Sequence, residues 1–346
     1  MELHAEGLRR LGHRARVWCA EDFASTGWPA LDARTPGGRS LAALWPLARR
    51  ERPDMYNVHT LSAPAWIAAR RLGLLGRAPV VVMSYAADER GLTPGGGVRG
   101  LVQRLRIAGA ARAMLPLASG VWCVNNEDRA FYLERYGLPP ERVAVIPHAA
   151  DDLFYAAPDQ AVIRQAQQLL FVGTWIPRKG IEILRRALPI LLGRIPSLRM
   201  VLAGTIADEA AVRAAFPGSA QGALRVVARS SPEELRALYA ASTLLLVPSE
   251  IEGLPIVLLE AMAGGCPSLA AANSGMLDVI REGENGWLLG SREPDAWAAR
   301  IEALLGNPEG LRRAGEGART TAEDFRLERV TARALEFYGL IASRPV

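Results

Sequence analysis

The sequence is poor in lysine, cysteine and histidine, with one, three and four of these in 346 residues, and it holds no long apolar run. Each shortage excludes a class. Cys19, Cys123 and Cys266 lie far apart, with no Cys-x-x-Cys and no paired histidines, so neither a disulfide-stapled scaffold nor a structural zinc site is expected. Their apolar surroundings suit core thiols in a reducing cytoplasm. The apolar stretches at 168–176 and 243–248 fall well short of the ~18 residues that a membrane-spanning helix needs. Glu2, Glu6, Arg9 and Arg10 stand where a secretory signal would have its apolar segment, so none is expected. No His-Glu-x-x-His and no acidic cluster at a strand end calls for a metal; Asp151-Asp152 sits in a linker-like stretch, and no cofactor is expected.

What is present describes a globular protein. Half the residues are hydrophobic and 22% are charged, and the length suits two domains, each with its own core. Residues 1–150 carry 20 basic and 13 acidic side chains, and 151–346 carry 21 and 23. All the basic groups except Lys179 are arginines, and most read as compositional bias. Those of the first half are scattered, without interleaved aromatics or a nucleic-acid-binding signature, so no nucleic acid partner is expected. The basic half does suit peripheral contact with an anionic membrane at its cytoplasmic face; preferential co-sedimentation with anionic over neutral liposomes is the test.

Short β-branched runs alternate with amphipathic stretches along the whole chain, the pattern of βαβ units and parallel sheets, so the fold class is α/β. The first half reads as a helix at 2–11 and strands at 15–20, 55–58, 80–83, 120–124 and 143–146. A helix at 61–72 and a Gly95-Gly96-Gly97 loop interrupt the middle. The second reads as strands at 168–173, 199–204, 224–228, 243–248, 268–271 and 286–289, with helices between. Ser231-Pro232-Glu233-Glu234 and Glu293-Pro294-Asp295 read as helix starts. The stretch 148–160 reads as a linker. The domains are placed at 1–155 and 156–325, with 326–346 a C-terminal helix packing back on the first domain. Two doubly wound domains facing one another would bind ligands in a cleft at the carboxyl ends of their strands.

Two segments carry chemistry. In 248–265 (PSEIEGLPIVLLEAMAGG) a buried strand runs out into a loop with Glu252, and a helix starts near Pro255 or Ile256 and carries Glu260. The backbone of Gly253, Leu254, Pro255 and Ile256 forms the helix N-terminus, where anions bind readily. Glu260 could be an ordinary solvated helix residue, but Leu258, Leu259 and Met262 flank it, which suits a ligand-facing acid better. In 169–180 (LLFVGTWIPRKG) another buried strand leads through Gly173 and Thr174 to Arg178 and Lys179, cations placed to neutralise a diphosphate without a metal. Elsewhere in this chain such a basic pair would read as solvated. His59 and His148 are lone histidines at strand ends, which are more often structural than catalytic.

These segments resemble family 4 of the retaining glycosyltransferases, the glycosyl transferases group 1 with the GT-B fold. Further matches are 200–204 (MVLAG), 231–235 (SPEEL) and 282–289 (EGENGWLL); 6–13 (EGLRRLGH), 53–59 (PDMYNVH) and 136–148 (YGLPPERVAVIPH) match more loosely. The resemblance implies two Rossmann-like domains and transfer of a sugar from a nucleoside-diphosphate sugar to an acceptor hydroxyl with retention. The acceptor class it implies is a sugar, a lipid-linked or a small molecule, in cell-envelope, polysaccharide or glycoconjugate synthesis. Glu260 would hold the donor ribose, Glu252 the transferred sugar, and Lys179 with Arg178 the phosphates. Gly173, Thr174, Arg229 and the Gly253 to Ile256 backbone would line the donor, and His59 and Tyr85 would lie on the acceptor side.

The departures from the family pattern are specific. Thr174 stands where the family has an arginine, Asp278 where it often has a glutamate, and Tyr85 where it has a histidine. The family's opening strand and Gly-rich loop are missing ahead of the first helix, so the chain is expected to start late by about 15 to 25 residues or to be a damaged homologue. The alternative is therefore a non-catalytic nucleotide-sugar binder or an inactive truncated homologue. An epimerase on the same architecture would need cleft acids and histidines that the sequence does not supply.

Overall fold

The computed structural model describes residues 2–15, 49–59, 70–73, 76–83, 108–109, 111–156 and 167–343. The chain divides into two compact units, residues 1–147 with 330–346 and residues 148–329. The expected strand at 15–20, most of the expected helix at 61–72, the Gly95-Gly96-Gly97 loop, Cys19 and Tyr85 lie outside the described residues.

In the first unit, β1 (Tyr56–His59), β2 (Val80–Met83), β3 (Gly120–Cys123) and β4 (Val143–Val145) form a parallel sheet in that order. All four residues of β2 and of β3 are buried. Strands covered on both faces read as continuous apolar runs, and that is why their positions were visible within a residue. Helix α1 (Glu2–Arg10) precedes the sheet, and α2 (Asn126–Tyr136) follows β3. Asn125 starts α2 by accepting the Asp128 N–H at 2.7 Å.

Among the described residues the second unit has six parallel strands: β5 (Gln168–Val172), β6 (Arg199–Ala203), β7 (Leu224–Val227), β8 (Leu244–Val247), β9 (Ser268–Ala271) and β10 (Trp287–Leu289). Their order is β10-β9-β8-β5-β6-β7. The chain builds outward from β5 through β7, then returns to the other side of β5 and builds outward again. The order therefore reverses between β5 and β8. At such a switch point the loops leaving adjacent strands part to opposite faces and open a crevice at the carboxyl edge.

The helices of this unit are α3 (Ile181–Arg194), α4 (Glu209–Ala214), α5 (Gly218–Gln221), α6 (Pro232–Ala241), α7 (Ile256–Ala263), α8 (Ser274–Val279), α9 (Pro294–Leu305) and α10 (Pro308–Ala322). Helices α3 and α9 pack together over Leu169, Phe171 and Leu246, with Trp297 fully buried, and α7 packs against α6 and α10. Ser231 and Glu234 make the full reciprocal capping box expected for α6. Helix α9 begins with Pro294 as read, but Glu293 makes no side-chain bond to its first turn.

The linker reading of 148–160 needs correction over its described part. Asp152–Tyr155 is a 3-10 turn, capped by Asp151 accepting the Leu153 N–H at 2.9 Å. Phe154 is buried with its ring 5.9 Å from that of Tyr239, and the Ala150 N–H bonds the Phe325 carbonyl at 3.0 Å. This segment is part of the second unit's core.

The last helix, α11 (Leu327–Ala342), carries the chain from the second unit into the first. Its buried residues Leu327, Val330, Thr331, Ala334, Phe337 and Ile341 recur at helical spacing. Phe337 and Ile341 sit over Gly120 of β3. Tyr338 lies beside His4 of α1, hydroxyl to Nε2 2.9 Å, and accepts the Asn57 amide N–H at 2.6 Å. The His4 ring meets Trp122 edge to face at 4.8 Å.

Candidate active site

The two loops at the switch point of the second unit carry the two motifs singled out in the sequence. After β5 the chain runs through Gly173 and Thr174 to a 3-10 turn at Pro177–Lys179, and Gly180 then leads into α3. After β8 it runs from Pro248 to Pro255, where α7 begins. Gly180 has φ +76°, and a Cβ there would lie 2.1 Å from the Pro248 carbonyl oxygen, so the two loops touch through a position that only glycine can fill. The Glu250 N–H donates to the Arg178 carbonyl at 2.8 Å. Lys179 and Glu252, 73 residues apart in sequence, are thereby brought together: Lys179 Nζ lies 2.5 Å from Glu252 Oε1, and Arg178 Nη1 lies 4.0 Å from Oε2.

The Glu252 loop is held from a third side by the turn after β9. Asn273 donates from Nδ2 to the Ser249 carbonyl at 2.9 Å, and the Gly275 N–H donates to the Gly253 carbonyl at 2.9 Å. Gly275 packs so closely that a Cβ would lie 2.2 Å from the Gly253 oxygen. These bonds fix both ends of the segment that carries Glu252. Leu254 and Pro255 are buried, so they can offer a ligand only backbone, and Pro255 has no N–H. Leu254 and Ile256 carry the backbone N–H groups at this helix start. No side chain caps α7.

Glu260 is the fifth residue of α7 and largely buried. Its Oε2 accepts the Tyr239 hydroxyl at 2.8 Å. Burial raises its pKa above the ordinary carboxylate value, the Tyr239 bond opposes that, and the charge of Asp151 adds to it. Arg229 is exposed on the loop after β7. His59 ends β1, paired with Met83.

Sequence reasoning missed Tyr239, whose sequence neighbours mark it only as a buried helical aromatic. It also missed Thr205 and Asn273, which together with Ser230, read from the sequence as bordering the donor base, carry three polar atoms at the carboxyl edge of the second sheet. Among the described residues, Thr205 Oγ1, Ser230 Oγ and Asn273 Oδ1 are buried without a hydrogen-bond partner. They follow β6, β7 and β9. Buried polar groups are normally satisfied, so this edge has unused capacity for a polar ligand. Among the described residues no group of three or more His, Cys, Asp or Glu side chains is arranged to hold a metal ion. Cations beside a helix start, with a largely buried acid on the same helix, are groups that can bind a phosphorylated polyhydroxy compound and stabilise negative charge on it.

Residues 158–321 match the family described as Glycosyl transferases group 1, and residues 2–152 match Glycosyltransferase Family 4. The D-inositol 3-phosphate glycosyltransferase of Corynebacterium efficiens is 30% identical over 291 residues, 79% of this chain and 62% of that protein. That of Thermobispora bispora is 32% identical over 223 residues, 60% of this chain and 52% of that protein. The chain thus spans between about half and just under two thirds of the length of these relatives. A glycosyltransferase from Rickettsia africae has a TM-score of 0.76 at 16% identity, covering 99% of this chain and 94% of that one. HepE of Anabaena in complex with UDP-glucose has a TM-score of 0.68 at 18% identity, covering 86% and 81%. At these identities the structural likeness bears on the fold alone.

Proposed function

The chain belongs to glycosyltransferase family 4 and has the GT-B fold, and we propose that it transfers a sugar from a nucleoside-diphosphate sugar to an acceptor hydroxyl with retention at the anomeric carbon. The observation that carries this reading is the meeting of Lys179, Arg178 and Glu252 from two loops at the switch point of the second sheet. Breaking the bond between sugar and diphosphate leaves growing negative charge on the phosphate oxygens. Lys179, Arg178 and the N–H groups of Leu254 and Ile256 at the start of α7 meet that charge from fixed positions, which lowers the barrier because little has to reorganise. No metal is needed in this scheme. Glu252 orients the sugar, and Glu260 accepts hydrogen bonds from the ribose hydroxyls. Gly173, Thr174 and Arg229 lie on the same edge and complete the donor side.

The names of the relatives make a phosphorylated polyol such as D-inositol 3-phosphate the first acceptor to try, beside sugars and lipid-linked acceptors. The site would then serve glycoconjugate or cell-envelope synthesis from the cytoplasm. The test is release of nucleotide from UDP-, GDP- and ADP-sugars with each acceptor. Lys179→Ala and Glu252→Ala are each expected to lower turnover by about 100-fold or more. Undiminished turnover in both variants overturns the site.

A further inference from the structure

We propose that Tyr239 is a positioning residue for donor binding, holding the Glu260 carboxylate aimed at the donor ribose. This rests on the reading of Glu260 as the ribose acid. Among the described residues the Glu260 carboxylate has a single hydrogen-bond partner, the Tyr239 hydroxyl on Oε2, which leaves Oε1 for a ligand. Tyr239 is wholly enclosed: none of its surface is exposed, Phe154 meets its ring edge to face, and Gly264 lies against its Cβ. It therefore cannot be a substrate contact, and its ring has nowhere to turn. A carboxylate on a flexible side chain, fixed at one oxygen by a donor that cannot move, presents the other in one direction, and less ordering is left for the ligand to impose.

The bond also acts on charge. The groups facing Glu260 are Tyr239 from α6 and Asp151 from the segment before the 3-10 turn; Cys266, just after α7, faces the Tyr239 phenol in turn. Burial and the Asp151 carboxylate both favour protonated Glu260, and a protonated acid is a poorer acceptor for two ribose hydroxyls. Burial and the neighbouring carboxylate keep the phenol itself protonated far above pH 10, so it donates throughout the working range. Among the described residues, Tyr239 is the one neighbour of Glu260 that favours the ionised form.

The experiment is calorimetric titration of the full chain with UDP, GDP and ADP between pH 4.5 and 8, comparing wild type, Tyr239→Phe, Glu260→Gln and the double variant. Ionisation of the nucleotide itself cancels in the comparison. Tyr239→Phe keeps the ring and its packing and removes only the hydroxyl. It is expected to weaken the binding nucleotide about 3- to 10-fold at neutral pH and to move the acid limb of binding upward by about half to one pH unit. In the Glu260→Gln background the same change is expected to do neither. A Tyr239→Phe variant that binds less but keeps the wild-type acid limb overturns the proposal and leaves Tyr239 a packing residue. Equal loss with and without Glu260 does the same, whatever the fold of either variant. If Glu260→Gln binds like the wild type, or no nucleotide binds the wild type, the ribose reading itself fails and the proposal falls with it.

Discussion

At the residue scale the site holds an internal competition. Glu252 occupies Lys179 directly and lies near Arg178, with 11% and 18% of the Glu252 and Lys179 side chains exposed, so this is not a solvated surface pair. A diphosphate that reaches Lys179 must displace the carboxylate or share the ammonium with it. Neutralising the acid should therefore help the phosphates while harming the chemistry. Glu252→Gln is expected to bind nucleoside diphosphate about 2- to 5-fold more tightly, the worth of a partly screened charge, while sugar transfer falls. Titration calorimetry with the nucleotide alone checks this, and equal or weaker binding means that the two anions do not compete. The sequence showed both residues and their strand-end positions. It could not show their meeting across 73 residues, because that depends on which strands are neighbours and no local pattern encodes it.

At the scale of elements, the arrangement stands on the contact between the loops after β5 and β8. Gly180→Ala would place a methyl group 2.1 Å from the Pro248 carbonyl and hold alanine in a left-handed backbone. The expected result is a loss of about 2 to 4 kcal/mol in the unfolding of the second unit, read by urea titration, with loss of nucleotide binding. Unchanged stability would mean that the two loops are free to part. The central strands were legible because they are buried on both faces and read as unbroken apolar runs, as in Leu169 to Val172 or Leu244 to Val247. The turn at 152–155 was not legible. One buried phenylalanine among alanines and aspartates gives no periodicity, and only the Asp151 cap marks it locally.

At the scale of the molecule, two half-buried histidines tie stability to pH. Burial lowers the pKa of His4 in the first unit and of His148 in the second from 6.5 to about 4. Between those values the unfolded chain binds protons that the folded chain does not, so stability falls as pH drops from about 6.5 to 4, by at most about 3 kcal/mol for each group. His4→Gln is expected to flatten this slope in the unfolding of the first unit, measured by urea midpoints across that range; an unaltered slope would count against a neutral half-buried His4. The helix that covers His4 has a consequence for synthesis. The first unit's sheet is translated by Val145, but its covering side chains Phe337, Tyr338 and Ile341 belong to the last helix. At the usual ribosomal pace that interval lasts about 10 to 40 s. Through it the apolar surface around Gly120 and Trp122 waits without its own cover, while the whole second unit can emerge and fold, so the half that is made first is completed last.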